Sequence, residues 1–148
     1  MRRPNYFKNR RGVALLEFAL FASMLLVILF GIIDLGRALF TANNITMAAR
    51  EGGRYASSMA NPQTPANVSL IKQRVAQYMS PFGNAPIDTA TMISVSWLTQ
   101  PGTGQLEGIT VQVNYPFSWI TPVRALVGGT FTDTLHSRVQ FRYEGAPP

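Results

Sequence analysis

The chain contains no cysteine and a single histidine, and no acidic residue precedes Glu17. Without cysteine there is no disulfide framework, no zinc ribbon and no thiol nucleophile. The lone His136 falls in an alternating polar and apolar stretch with no second imidazole or thiol nearby, so it reads as a strand residue rather than a metal ligand. Also missing are a glycine-rich phosphate loop, a cluster of metal-ligating residues at productive spacing, and a nucleophile with a base and orienting partner. Gly102-Thr103-Gly104 lacks the strand-to-helix setting and the Lys-Ser/Thr pair of a phosphate cradle, and reads as a turn. The seven carboxylates are spread along the chain. These absences point away from catalysis: no catalytic residue, metal site, cofactor or small-molecule substrate is expected.

Charge gives a second exclusion. The 148 residues carry a net charge of +6 and a pI near 10.3. Such basicity would ordinarily suggest a nucleic-acid partner. Five basic residues, however, sit in the first twelve positions: Arg2, Arg3, Lys8, Arg10 and Arg11. The remainder holds eight basic against seven acidic residues, a balance of +1. A nucleic-acid surface needs its cations gathered on the folded domain, so no nucleic-acid partner is expected.

What the chain does have is a long apolar run. From Val13 to Ile33, 21 positions, Glu17 is the only ionisable residue. At about 1.5 Å per residue this crosses a hydrocarbon core of about 30 Å. The basic flank ahead of it predicts a cytoplasmic N-terminus, with the rest of the chain across the inner membrane. An ordinary cleaved signal peptide is the competing reading. The run exceeds the usual length of a signal peptide's apolar core of about 7–15 residues, and no small-x-small cleavage site closes it.

The expected class is α+β: a long transmembrane helix extending into a small C-terminal domain with a short helix and a three-to-four-stranded antiparallel sheet. Residues 1–12 read as a basic cytoplasmic leader, 13–60 as one long helix and 61–148 as the extracytoplasmic domain. Asp34 and Arg37, spaced i,i+3, are expected to pair at the membrane edge. Leu35, Leu39, Ala42, Thr46 and Ala49 follow steps of four and three and predict one weakly apolar stripe along the emergent helix. Gly52-Gly53 suggests a kink or close packing, and Asn61-Pro62 and Pro65 predict a stop and a linker reaching Asn67. Asn67-Val68-Ser69 also fits the glycosylation sequon, a weak match at three residues. Val68, Ile71, Val75 and Tyr78 predict a short amphipathic helix ending before a loop over residues 81–86. Ile93-Val95-Trp97, Ile109-Val111-Val113-Tyr115 and Leu135-Val139-Phe141-Tyr143 alternate as half-buried strands. Gln100 to Gly104 is the turn between the first two, Pro116 is expected to stop the second, and a short helix or crossover follows Trp119.

Glu17 needs a reason to sit in lipid, where a charge at a helix centre costs about 2.5–3.5 kcal/mol. Alone, it would snorkel to the headgroups. A cut between Gly12 and Val13 would remove the five leader charges and leave an α-amine of pKa about 7.7–8.0, largely protonated. In a bundle of parallel helices, that amine of one subunit can meet Glu17 of its neighbour, so that two costly charges neutralise each other only in register.

Gly12-Val13-Ala14-Leu15-Leu16-Glu17-Phe18 resembles the processing site of type IV pilin-like proteins. Together with Gly31-Ile32-Ile33-Asp34-Leu35-Gly36-Arg37 and Ala48-Ala49-Arg50-Glu51-Gly52-Gly53-Arg54-Tyr55-Ala56, it is similar to TadE-like pseudopilins, minor pilins of tight-adherence (Flp) pili. The resemblance covers about the first 60 residues. It implies cleavage after Gly12 by a prepilin peptidase, and a role in pilus assembly or initiation. Glu17 and Phe18 would set assembly and register, and Ala49, Arg50, Gly52 and Arg54 belong to the family motif. The implied partners are the prepilin peptidase, other pilins (TadF-like subunits and the major Flp pilin) and the inner-membrane assembly platform. The implied location is the cytoplasmic membrane, single-pass, with possible incorporation in an extracellular pilus. The competing class is an uncleaved single-pass anchor presenting a periplasmic binding domain.

Overall fold

The backbone is dominated by one helix, α1 (Arg10–Ser57), 48 residues long and therefore about 72 Å from end to end. The computed structural model describes residues 10–79, 87–119 and 132–143. The first half of α1 is an unbroken run of good helix formers and apolar residues; its second half is rich in alanine. A tight turn leads into α2 (Pro65–Tyr78). Thr64 caps α2 by accepting a hydrogen bond from the Asn67 amide at 3.3 Å, and Pro65 occupies the first turn. The expected linker to Asn67 is thus shortened. Pro65 starts a helix instead of stopping one, because a first-turn proline gives up only an N–H that has no intrahelical partner.

Three strands follow, β1 (Ile93–Thr99), β2 (Leu106–Ser118) and β3 (Thr132–Arg142), in one antiparallel sheet ordered β1-β2-β3. The class expected from the sequence, α+β with a long helix, a short helix and a small antiparallel sheet, is the one observed. The β1–β2 turn depends on glycine. Gly102 (φ +96°) and Gly104 (φ +67°) both lie in the left-handed region that side chains disfavour. Ile109, Val111, Val113, Tyr115 and Phe117 of β2 point to the helix side and are buried. Ser137, passed over in the alternation of β3, takes an inward position opposite Val113 and is also buried.

Pro116 does not stop β2. The Asn114 amide donates to the Met92 carbonyl, just before β1 begins, so the amide positions of even-numbered β2 residues face the β1 side. At Pro116 that side has no partner strand among the described residues, while the other edge still pairs with Thr134 of β3. A proline is tolerated where the missing donor faces an open edge.

The sheet packs along the second half of α1, and the two run side by side. The Arg37 guanidinium lies 5.4 Å from the centroid of the Phe117 ring at one end. At the other, Gly53 is so close to Phe141 of β3 that an added Cβ would overlap the ring. Residues 37 to 53 span about 24 Å of helix. Phe141 pairs with Ile109, and Ile109 to Phe117 span about 26 Å of strand. The match of these lengths places the strands roughly parallel to the helix axis. Beyond Gly53, the Tyr143 hydroxyl bonds the carbonyls of Met59 (3.0 Å) and Ala60 (2.9 Å), tying the end of β3 to the end of α1.

The packed stripe of α1 differs from the expected one. Asp34, Thr41, Ile45, Ala48, Ala49, Gly52 and Ala56 face the sheet and α2, whereas Leu35 and Leu39 are 56% and 59% exposed. Small side chains were favoured on this face because they let the helix approach the sheet closely, which hydrophobicity alone does not rank. The expected loop at 81–86, the helix or crossover after Trp119, and residues 1–9 of the leader lie outside the described residues.

Candidate functional site

Two separate regions of α1 hold the residues singled out in the sequence. The first is its N-terminal end. Gly12, Val13, Glu17 and Phe18 are all exposed, Phe18 by 71%, and α1 contains an 18-residue apolar window with no buried residue. This helix is long and apolar enough to cross a membrane. Val13 and Glu17 are one turn apart and share a face, about 6 Å along the axis. The Gly12–Val13 bond lies in the first turns of α1, where helices fray most easily. Glycine lowers the cost of opening that backbone further, and the first turn holds no acidic side chain to stabilise the helix dipole.

The second region is the packed half. Asp34 and Arg37 do pair: Arg37 Nη1 donates to Asp34 Oδ1 at 3.1 Å. The pair is covered by the folded unit, since Asp34 is 1% exposed and Arg37 stacks on Phe117. A buried ion pair of this kind mostly fixes register; its desolvation cost offsets much of its attraction.

Further along, Ala49 and Gly52 are buried while Arg50 and Arg54 are exposed. Gly52 faces α2, and a Cβ there would overlap the Val75 side chain. Gly53 faces β3. The glycine pair is therefore a two-sided close contact within a continuous helix, one residue toward each neighbouring layer. Arg54 forms a two-pronged bond to Glu51, Nε at 3.0 Å and Nη2 at 2.7 Å.

Glu51 also accepts from Arg74 of α2 at 3.4 Å, and the Arg74 guanidinium lies 5.6 Å from the Tyr55 ring centroid and 5.2 Å from that of Tyr78. The sequence hints at Glu51–Arg54 by its i,i+3 spacing. It gives no sign of Arg74, which meets Glu51 only because Gly52 brings the two helices together. The Arg54 hydrogen bond, reinforced by both guanidinium charges, holds the Glu51 carboxyl below its ordinary range. A lowered carboxyl pKa stabilises the fold above the unfolded value, and the contribution is lost as pH falls through the folded one. Thermal unfolding of the full chain in detergent should therefore show stability declining below about pH 4.5. Glu51→Gln should flatten part of that decline, leaving the share carried by Asp88, which is lowered by bonds from Thr91 and the Ala90 amide. An unchanged pH profile would remove Glu51 from the account.

His136 lies on the exposed face of β3, with Nδ1 2.9 Å from Asn114 Oδ1. Among the described residues no group of three or more His, Cys, Asp or Glu is placed to hold a metal ion.

Comparison with known proteins bears on the first region and part of the second. The family model described as TadE-like protein matches residues 12–54, from the proposed cleavage glycine to Arg54. This is not a family of enzymes. No curated protein and no solved structure matches the chain significantly.

Proposed function

We propose, from a TadE-like segment that runs from Gly12 to Arg54, that this chain is a minor pilin of a Tad-type pilus, processed at the Gly12–Val13 bond. The family match is the observation that carries the reading, and its starting point coincides with the glycine at which the basic leader meets the apolar helix. The helix anchors the protein as a single span, its basic end on the cytoplasmic side and its folded unit on the other. A membrane peptidase cuts after Gly12, and the new α-amine at Val13 pairs with Glu17 of an adjacent pilin. Its partners are the peptidase, the major pilin, other minor pilins and the assembly platform in the inner membrane. The sheet and α2 make it far larger than a bare helical pilin, which suits a subunit used in initiation or at rare positions.

Mass spectrometry of the purified protein tests the reading directly. A mature chain beginning at Val13 is expected. An intact leader in cells that assemble pili would replace it with the alternative of an uncleaved anchor.

Glu17 is tested separately. Glu17→Ala should still be cut, because the scissile bond is untouched, but the α-amine of the adjacent pilin would lack its counter-charge within the bundle. Leaving one member of a buried pair alone costs about 3–5 kcal/mol, so co-purification with pilus subunits should fall by roughly 100-fold to 1,000-fold or more. Normal co-purification of the processed variant would exclude the pairing.

A further inference from the structure

The lengths of helix and strand place one end of the sheet at the level where α1 leaves its apolar run. Phe117 of β2 sits against Arg37, four residues past Ile33, the end of that run. Trp119 follows one residue past the end of β2, and two further residues of extended chain add about 6.6 Å. Four residues of helix are worth about 6 Å, so Trp119 comes down to the level of Ile33. Its ring meets Phe117 edge-on at 5.6 Å between centroids. Its indole N–H donates to Asp133 Oδ2 at 3.3 Å across the β2–β3 pair. The indole is thus held in a fixed pose and is only partly covered.

We propose that this end of the sheet, with Trp119 as its anchor, rests in the headgroup layer of the same membrane that α1 crosses. The inference rests on the single-span reading given above. Tryptophan favours this layer because its ring is apolar and its N–H polar, which suits neither pure hydrocarbon nor bulk water. Arg37 adds a cation about one helical turn above it, close to lipid phosphates, while Asp34 and Asp133 supply acids already bonded to Arg37 and to the indole. The occupant is lipid because the rim continues the apolar surface of α1, whose Ile32 and Ile33 are exposed just below it. The consequence is orientation. Strands parallel to α1 stand along the membrane normal, and the opposite end, with the Gln100–Gly104 turn and Tyr143, is presented farthest from the bilayer.

The protein contains its own depth gauge. It has two tryptophans, and the second, Trp97 on β1, pairs with Ile109 at the far end of the sheet. Ten strand residues separate that level from Trp119, about 33 Å. The experiment uses the full chain reconstituted into phosphatidylcholine vesicles in which part of the lipid carries bromine on shallow acyl carbons, with a parallel set brominated deep in the chain. Trp97→Phe leaves only Trp119, which should be quenched several-fold more by shallow than by deep bromine. Trp119→Phe leaves only Trp97, which should be quenched by neither. Equal, weak quenching of both tryptophans in protein that floats with the vesicles would overturn the inference and leave the single-span reading standing. Stronger quenching of Trp119 by deep bromine would also overturn it. Failure to float with vesicles would overturn the single-span reading, and the inference with it. The unmodified chain guards against misfolded variants: part of its emission should be quenched by shallow bromine, and complete resistance to quenching would refute the proposal.

Discussion

Gly12→Val is expected to leave the protein in the membrane with its leader attached and to reduce processed chain by on the order of 100-fold or more, the scale of loss when a reacting bond is misplaced by about 1 Å. Two physical effects act together. A peptidase must draw the scissile backbone close, and glycine offers no Cβ to obstruct that approach. The bond also lies near the start of α1, so it must unwind locally before it is cut. Glycine destabilises helix by about 1 kcal/mol relative to alanine, and a β-branched side chain removes part of that advantage. Gly12→Ala, whose single methyl obstructs that approach less than valine does, should be cut at an intermediate rate. The readout is the ratio of intact to processed mass in membrane fractions. Equal processing of wild type and Gly12→Val would show that recognition lies elsewhere, while loss of the protein from membranes would mean that insertion had been affected.

The second large effect is expected at Gly52→Val. A Cβ at Gly52 overlaps the side chain of Val75, which is fully buried on α2. Overpacking of this kind costs about 1–3 kcal/mol, and moving α2 away instead exposes Val75 and Ile71, each worth about 1.5–3 kcal/mol when buried. The improved helix propensity of valine over glycine returns only a few tenths of a kcal/mol. A net loss of about 3 kcal/mol should lower the melting temperature by more than about 10 °C for a unit of this size. Gly53→Ala should cost less, because the half-buried Phe141 ring can turn aside. Gly36→Ala is the matching control: nothing lies within 4 Å of its added Cβ, so it should gain up to about 1 kcal/mol of helix stability. Melting curves that rank Gly52→Val with Gly36→Ala would show that α1 and α2 do not meet at this glycine.

These two predictions draw on different kinds of information. Gly12 and Glu17 stand out in the sequence because their signal is local: a charge boundary, a glycine, and an acid in an apolar run. The membrane-length helix was legible for the same reason, as were the strand alternations and the double-glycine turn at Gly102 and Gly104. Prolines were harder. Pro65 and Pro116 lack the same N–H, but whether that matters depends on whether a partner would have been there. At Pro65 the position is a helix start; at Pro116 it is a sheet edge that no described strand covers.

The sequence by itself determined that one helix is long and apolar enough for a membrane, that five of the thirteen basic residues lie ahead of Gly12 with no acid among them, and that a small sheet follows a short helix. Periodicity and charge carry that information residue by residue. Only the tertiary structure decided which face of α1 is packed. Asp34, Thr41 and Gly52 are buried while Leu35 and Leu39 are exposed, because close approach of α2 and β3 selects for small or paired side chains rather than for the most hydrophobic ones. It also decided that Glu51 meets Arg74, and that Phe117 meets Arg37. Those relations link residues distant in sequence, and they exist only once the strands lie along the helix.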